Sequence, residues 1–148
     1  YPIVFILNNN DPGSYGIQNI INSKLRDKDK IFNNLDRFDF LHLLKECRMI
    51  IGNSSSGIIE APVLKVPAIN IGKRQLNRVK AINVIEAEGS LASIEKALTM
   101  AESDIFLESL TKCVSPYGSE PASKKIVNAL HKYLAYSTEK LINRDIFE

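Results

Sequence analysis

Arg48-Met49-Ile50-Ile51-Gly52-Asn53-Ser54-Ser55-Ser56-Gly57-Ile58-Ile59-Glu60 is the stretch on which the fold turns. A short apolar run ends on glycine, small polar residues turn the chain, and a new apolar segment opens with an acid one turn in. This is a strand, a tight loop and a helix start, the repeating unit of an α/β protein. The loop has two readings. Free N–H groups and the dipole of a first helical turn favour an anion, serine hydroxyls add donors, and glycine lets a ligand approach the backbone. That reading puts a phosphate on Ser54 and Ser55 and the hydroxyls of a ribose on Glu60. The second reading is a plain helix cap, with Glu60 a first-turn acid favoured by the dipole.

Outward from this unit, the same alternation recurs. Residues 3–7 form a continuous, β-branched apolar run, the pattern of a strand buried on both faces of a parallel sheet. The polar turn 8–14 follows, where Ser14 can cap a helix running to about residue 26 with Ile17, Ile20, Ile21 and Leu25 on one face. A short strand is expected within 31–35. A helix over 38–47 should bury Phe40, Leu41, Leu44 and Cys47. Beyond the central unit come strands within 66–71 and 82–85, then helices over 90–102, 104–113 and 123–136, the last with Ile126, Val127, Leu130, Tyr133 and Leu134 inward. The expected architecture is a Rossmann-like, doubly wound parallel sheet forming one domain over 1–148. In such sheets ligands sit outside the carboxyl ends of the strands. The three loops expected there, 9–14, 53–57 and 73–78, are all polar.

The loop after the 66–71 strand carries Lys73, Arg74, Arg78 and Lys80. Arginine suits bidentate recognition of a phosphate, although a solvated basic loop is the alternative. The serine loop is not a Walker loop, because no Gly-Lys-Ser/Thr follows. It approaches a nucleophile elbow but is spaced G-x-S-x-x-G, and no triad accompanies it. His42 and His131 both fall on amphipathic helical segments, where histidine is more often a surface or packing residue than a catalyst.

Composition sets the remaining bounds. The chain has 148 residues, 45% hydrophobic and 24% charged, with a net charge of +2. That is an ordinary globular composition, with too little charge to make nucleic acid a main partner and no apolar run of membrane-spanning length. Cys47 and Cys113 stand far apart without a C-x-x-C pair, which reads as a reduced, cytoplasmic protein without a zinc site. The first residue is Tyr1 and no basic-then-apolar leader follows, so the chain reads as beginning inside a longer one.

Taken in order, Asn-Asn-Asp-Pro-Gly-Ser at 9–14, Ile-Gly-Asn-Ser-Ser-Ser-Gly-Ile-Ile-Glu at 51–60, Pro-Ala-Ile-Asn-Ile-Gly-Lys-Arg-Gln at 67–75, Asn-Val-Ile at 83–85 and Pro-Tyr-Gly-Ser at 116–119 resemble the C-terminal half of the hydrolysing UDP-N-acetylglucosamine 2-epimerases. The resemblance runs to about Leu134. It implies one half of a glycosyltransferase-B-like fold, with the nucleotide sugar between two domains and the UDP on this one. It implies diphosphate on Ser54 and Ser55, ribose on Glu60, Arg74 near the nucleotide, Asn9 lining the cleft and the Leu35 backbone touching the uracil.

The implied reaction eliminates UDP across C1–C2 and hydrates the glycal to the free 2-epimeric sugar, without cofactor or metal. The acid/base residues, including a cleft histidine, would lie in a domain upstream of Tyr1, so no catalytic residue is assigned within this chain. The partners implied are that domain, a UDP-sugar, and a second copy in a homodimer or larger assembly. A glycosyltransferase of the same fold is the alternative, separated by acceptor-dependent turnover. Two departures stand out. Asn77 occupies a position where the family often has glycine, and asparagine tolerates left-handed geometry. Some relatives have an allosteric sugar-nucleotide site built from basic and histidine residues near the loop before the second helix; here Asn33 and Asn34 occupy that region, which argues against such regulation.

Overall fold

Two parallel ladders carry the backbone in the computed structural model, which describes residues 1–7, 13–118 and 121–134. β1 (Val4–Ile6) pairs with β2 (Lys30–Phe32), and between them runs α1 (Ser14–Lys24). After α2 (Arg37–Glu46), strand β3 (Ile50–Gly52) pairs with β4 (Ala68–Ile71), and β4 with β5 (Val84–Ala87), all parallel. The helical segments α3 (Ser56–Ile59) and α4 (Ala61–Leu64) connect β3 to β4. Then follow α5 (Leu91–Ala101), α6 (Asp104–Ser109), a 3₁₀ turn at Leu110–Lys112 and α7 (Ser123–Leu134). The fold is α/β and Rossmann-like, as expected, although among the described residues the two ladders are not joined by strand pairing.

The central strand β4 is buried on both faces, and its alternation shows why. On β4, Ala68 packs with Leu44, Ala61 and Val66 beneath α2 and α4, while its neighbour Ile69 packs with Ile85, Ala97, Ala101 and Phe106 beneath α5 and α6. Val84 and Ile85 divide in the same way. Successive side chains point to opposite faces of a strand, so a strand whose two faces are both buried requires helices on both sides. The one polar side chain of β4, Asn70, is buried and donates to Glu86. Alanines at 97 and 101 let α5 sit close on β4 and β5. Local caps set the helix starts: the Asp36 carboxylate accepts from Phe38 N and Asp39 N, Ser90 Oγ from Ser93 N, and Ser103 Oγ from Phe106 N.

The ends of the chain depart from the sequence expectation. β1 is half-buried to exposed, not buried on both faces, and α1 has no buried residue: Ile17 and Ile20 face solvent. A two-stranded ladder with one helix cannot cover both of its own faces. Ser14 does not cap α1; Gly13, in left-handed geometry, holds that place without a side-chain bond. In α2 only Leu44 is fully buried, with Phe40, Leu41 and Cys47 half-buried. The stripe Ile126, Val127, Leu130 and Leu134 of α7 is exposed, so it does not turn inward against the described core.

One polar anchor holds the start of β1. The buried Asp29 carboxylate accepts from Ile3 N at 2.9 Å and from Arg26 Nε at 2.7 Å. The Arg26 guanidinium, followed by the Ile3 amide, holds that carboxyl well below the usual carboxylate range. A depressed pKa adds stability that is complete above the unfolded value of about 3.9 and is lost as pH falls through the folded value. Asp29→Asn is therefore expected to melt below wild type at pH 7, with the two melting curves converging as the pH is lowered below 4. Parallel curves at every pH would remove Asp29 as the origin.

Candidate functional site

β3 and β4 run parallel, so the loops that follow them, 53–57 and 72–80, leave the same edge of the sheet. Gly52 turns out of β3 with φ +147, a region that favours glycine, and Gly72 turns out of β4 with φ +79. The loops meet. Gln75, 4% exposed, donates from Nε2 to the Asn53 carbonyl at 2.9 Å. The cluster of small polar residues and the cluster of cations, separate in sequence, form one surface.

On the first loop, Ser54 is exposed and its Oγ accepts from Ser56 N at 3.3 Å, while Ser55 is the N-cap of α3 and makes no side-chain cap bond. The capping and ligand readings thus divide between two neighbours: Ser54 turns the chain and the Ser55 hydroxyl does no capping. The two glycines that bound the loop do different things. Gly57 is buried, and a Cβ there would come 3.2 Å from Ala68 Cβ, so glycine permits close packing of α3 on β4, not the approach of a ligand.

Glu60 stands at the junction of α3 and α4. Pro62 has no N–H to continue the helical ladder, and the chain restarts at Ala61. The Glu60 Oε1 lies 3.7 Å from Arg37 Nη1, while its Oε2 is buried with no hydrogen-bond partner among the described residues. An ionised carboxylate oxygen can only accept, so this atom is suited to an incoming hydroxyl or amide donor. Arg37 also brings the start of α2 within an arginine's length of Glu60. Half-buried Leu35, two residues before it, lies in the connection from β2 to α2.

On the second loop, Lys73, Arg74 and Arg78 are exposed. Lys80 is not part of that cationic surface: its Nζ lies 3.0 Å from Glu86 Oε1 and donates to the Leu76 carbonyl. Glu86 is bound in turn by Asn70 Nδ2 at 2.6 Å. Asn77 is not left-handed; among the described residues Lys65 is the one non-glycine with positive φ, so this turn does not require glycine at 77. Asn9 lies outside the described residues. His42 and His131 are exposed on α2 and α7.

Of the expected site residues, the structure therefore brings the loops of Ser54, Ser55 and Arg74 together, while Leu35 lies in the β2–α2 connection and is not joined to Glu60 by any contact among the described residues; it is Arg37, at the start of α2, that reaches Glu60. Sequence reasoning missed Gln75, Arg37 and Asn83. Gln75 and Asn83 lay inside quoted stretches, and the available signal was an amide side chain with no charge or turn to explain it.

The model of the UDP-N-acetylglucosamine 2-epimerase family matches residues 1–131. This chain belongs to that family. It is 33% identical over 131 residues to polysialic acid biosynthesis protein P7 of Escherichia coli, covering 88% of this chain and 33% of that protein. It is 37% identical over 107 residues to a hydrolysing GDP/UDP-N,N'-diacetylbacillosamine 2-epimerase of Campylobacter jejuni, covering 70% and 27%. The solved UDP complex of S. aureus MnaA shares the fold, with a TM-score of 0.70 at 19% identity over 91% of this chain and 36% of that one. The chain thus spans a third or less of these curated relatives.

Proposed function

We propose that this chain is the nucleotide-holding domain of a hydrolysing UDP-N-acetylglucosamine 2-epimerase, a cytoplasmic enzyme that releases UDP and a 2-epimeric free sugar, N-acetylmannosamine or a diacetamido relative. The observation that carries the reading is Glu60 Oε2, buried and without a hydrogen-bond partner among the described residues, one helical turn beyond the serine loop that Gln75 ties to the cationic loop at the carboxyl edge of the sheet. In this reading Glu60 accepts from the ribose, and Ser54 and Ser55 donate to the diphosphate. Arg74 offsets the charge that develops as UDP leaves, Leu35 meets the uracil through its backbone, and Asn9 lines the cleft.

Elimination across C1–C2 also needs a positioned base, and the reading assigns that base and the cleft histidine to a second domain. The exposed faces of α1 and α7 are suited to contact such a domain or a second copy. The hydrolysing branch is favoured by the Asn-Ile-Gly-x-Arg-Gln stretch at 70–75 and by the named activity of the Campylobacter relative.

Calorimetric titration of the chain with UDP, GDP and inorganic phosphate tests this. One side of a cleft should bind UDP with Kd on the order of 1 mM, about 4 kcal/mol, and GDP and phosphate more weakly. A preference for GDP would keep the domain and change the base. Failure of a folded chain to bind any nucleotide would remove the assignment.

A further inference from the structure

The 72–80 loop bears the cations of the site yet has almost no apolar anchorage. It leaves β4 as two consecutive turns, Leu76 N to Lys73 O at 3.1 Å and Arg78 N to Gln75 O at 3.2 Å. Its apolar side chains, Leu76 and Val79, face solvent. Polar clasps hold it instead. At one end Gln75 reaches the Asn53 carbonyl across the sheet edge; at the other, Tyr117 donates its hydroxyl to the Val79 carbonyl at 3.0 Å. The clasped segments are 22 and 38 residues apart in sequence, so neither bond is part of the local turn.

We infer that Gln75 and Tyr117 are positioning residues for the nucleotide, fixing the Arg74 loop against the serine loop so that both meet one ligand without being ordered at the moment of binding. The inference rests on the nucleotide reading above. Its physical basis is that each residue ordered on binding subtracts from affinity, so a loop held beforehand loses less. Gln75 suits the task because its amide donates to a carbonyl and carries no charge to compete with Arg74 beside it. A carboxylate at 75 would face the Asn53 oxygen with no proton to share.

The test is a set of UDP titrations on the intact protein. Gln75→Met keeps the length and removes the donor; Tyr117→Phe removes one oxygen. Each is made with Arg74 present and in an Arg74→Ala background. With Arg74 present, Gln75→Met is expected to weaken UDP about tenfold and Tyr117→Phe about threefold, as expected for one hydrogen bond each. In the Arg74→Ala background both losses should shrink toward none, because the effect runs through Arg74; a merely structural role would not produce that coupling. Equal losses in both backgrounds, or unchanged affinity in Gln75→Met, would overturn the positioning role. If Gln75→Met does not fold, the Tyr117→Phe pair carries the comparison alone. A folded wild-type protein that does not bind UDP would instead overturn the nucleotide reading, and the inference with it.

Discussion

Asn83→Asp is expected to cost about 4 kcal/mol of stability at pH 7, and Asn83→Leu only about 1–2 kcal/mol. Asn83 is 0% exposed. Its Nδ2 donates to the Gly57 carbonyl at 3.3 Å and the Val66 carbonyl at 3.0 Å, and its own carbonyl accepts from Ala68 N at 2.8 Å. One amide thus joins α3, the approach to β4 and the approach to β5. Leucine removes both donors but also removes the buried Oδ1, which has no partner among the described residues, so part of the loss is returned. Aspartate keeps two acceptors, loses the amide donors and would bury a charge among carbonyls. The folded protein escapes only by keeping that carboxyl protonated, and holding a group of pKa about 3.9 neutral at pH 7 costs about 4 kcal/mol. Its folded pKa is then raised above the unfolded one, so stability falls as pH rises between the two. Urea midpoints should therefore place Asn83→Asp well below wild type at pH 7 and much nearer to it at pH 4. An equal deficit at both pH values would mean that the loss is one of shape.

Asn83 also marks the boundary of what the sequence conveys. The strand that follows it, β5, was legible, because Val84 and Ile85 form a short β-branched stretch after a basic loop. That the asparagine is wholly enclosed was not, since its partners at 57 and 66 are contributed by another part of the chain. The same division holds throughout. Strands β3 and β4 and the serine loop were legible because a doubly covered strand has no polar alternation and a glycine-bounded turn is local chemistry. The halves of a hydrogen bond such as Gln75 to Asn53 each look like ordinary loop residues until the topology places two strand ends side by side. The apolar stripes of α1 and α7 were read correctly as stripes, but periodicity reports that a face is apolar and is silent on what covers it. Small residues in loops serve both ligands and packing, and sequence alone does not separate the two; at Gly57 the 3.2 Å from a Cβ to Ala68 Cβ shows close packing.

Glu60→Ala is expected to weaken UDP about 30-fold while leaving stability at neutral pH unchanged or slightly raised, because the two oxygens of Glu60 do different things. Oε1 faces the largely exposed Arg37 at 3.7 Å, a pairing that contributes little in water. Oε2 is buried and accepts nothing from the described residues, an arrangement unfavourable to them by itself. A site that is poor for stability and good for a missing donor is the signature of a binding residue. A hydroxyl donating to a carboxylate is worth about 1.5–3 kcal/mol, and about 2 kcal/mol, within that range, corresponds to the 30-fold loss. The partner is identified by removing it from the other side. If the donor is a ribose hydroxyl, one of 2′-deoxy-UDP and 3′-deoxy-UDP should bind wild type about as poorly as UDP binds Glu60→Ala, and that analogue should lose little more in the variant, because the bond can be removed only once. Inorganic pyrophosphate, which has no sugar, should bind both proteins alike. Should both deoxy analogues and pyrophosphate weaken by the same factor as UDP in Glu60→Ala, the carboxylate acts by shaping the serine loop and its Oε2 meets no ribose.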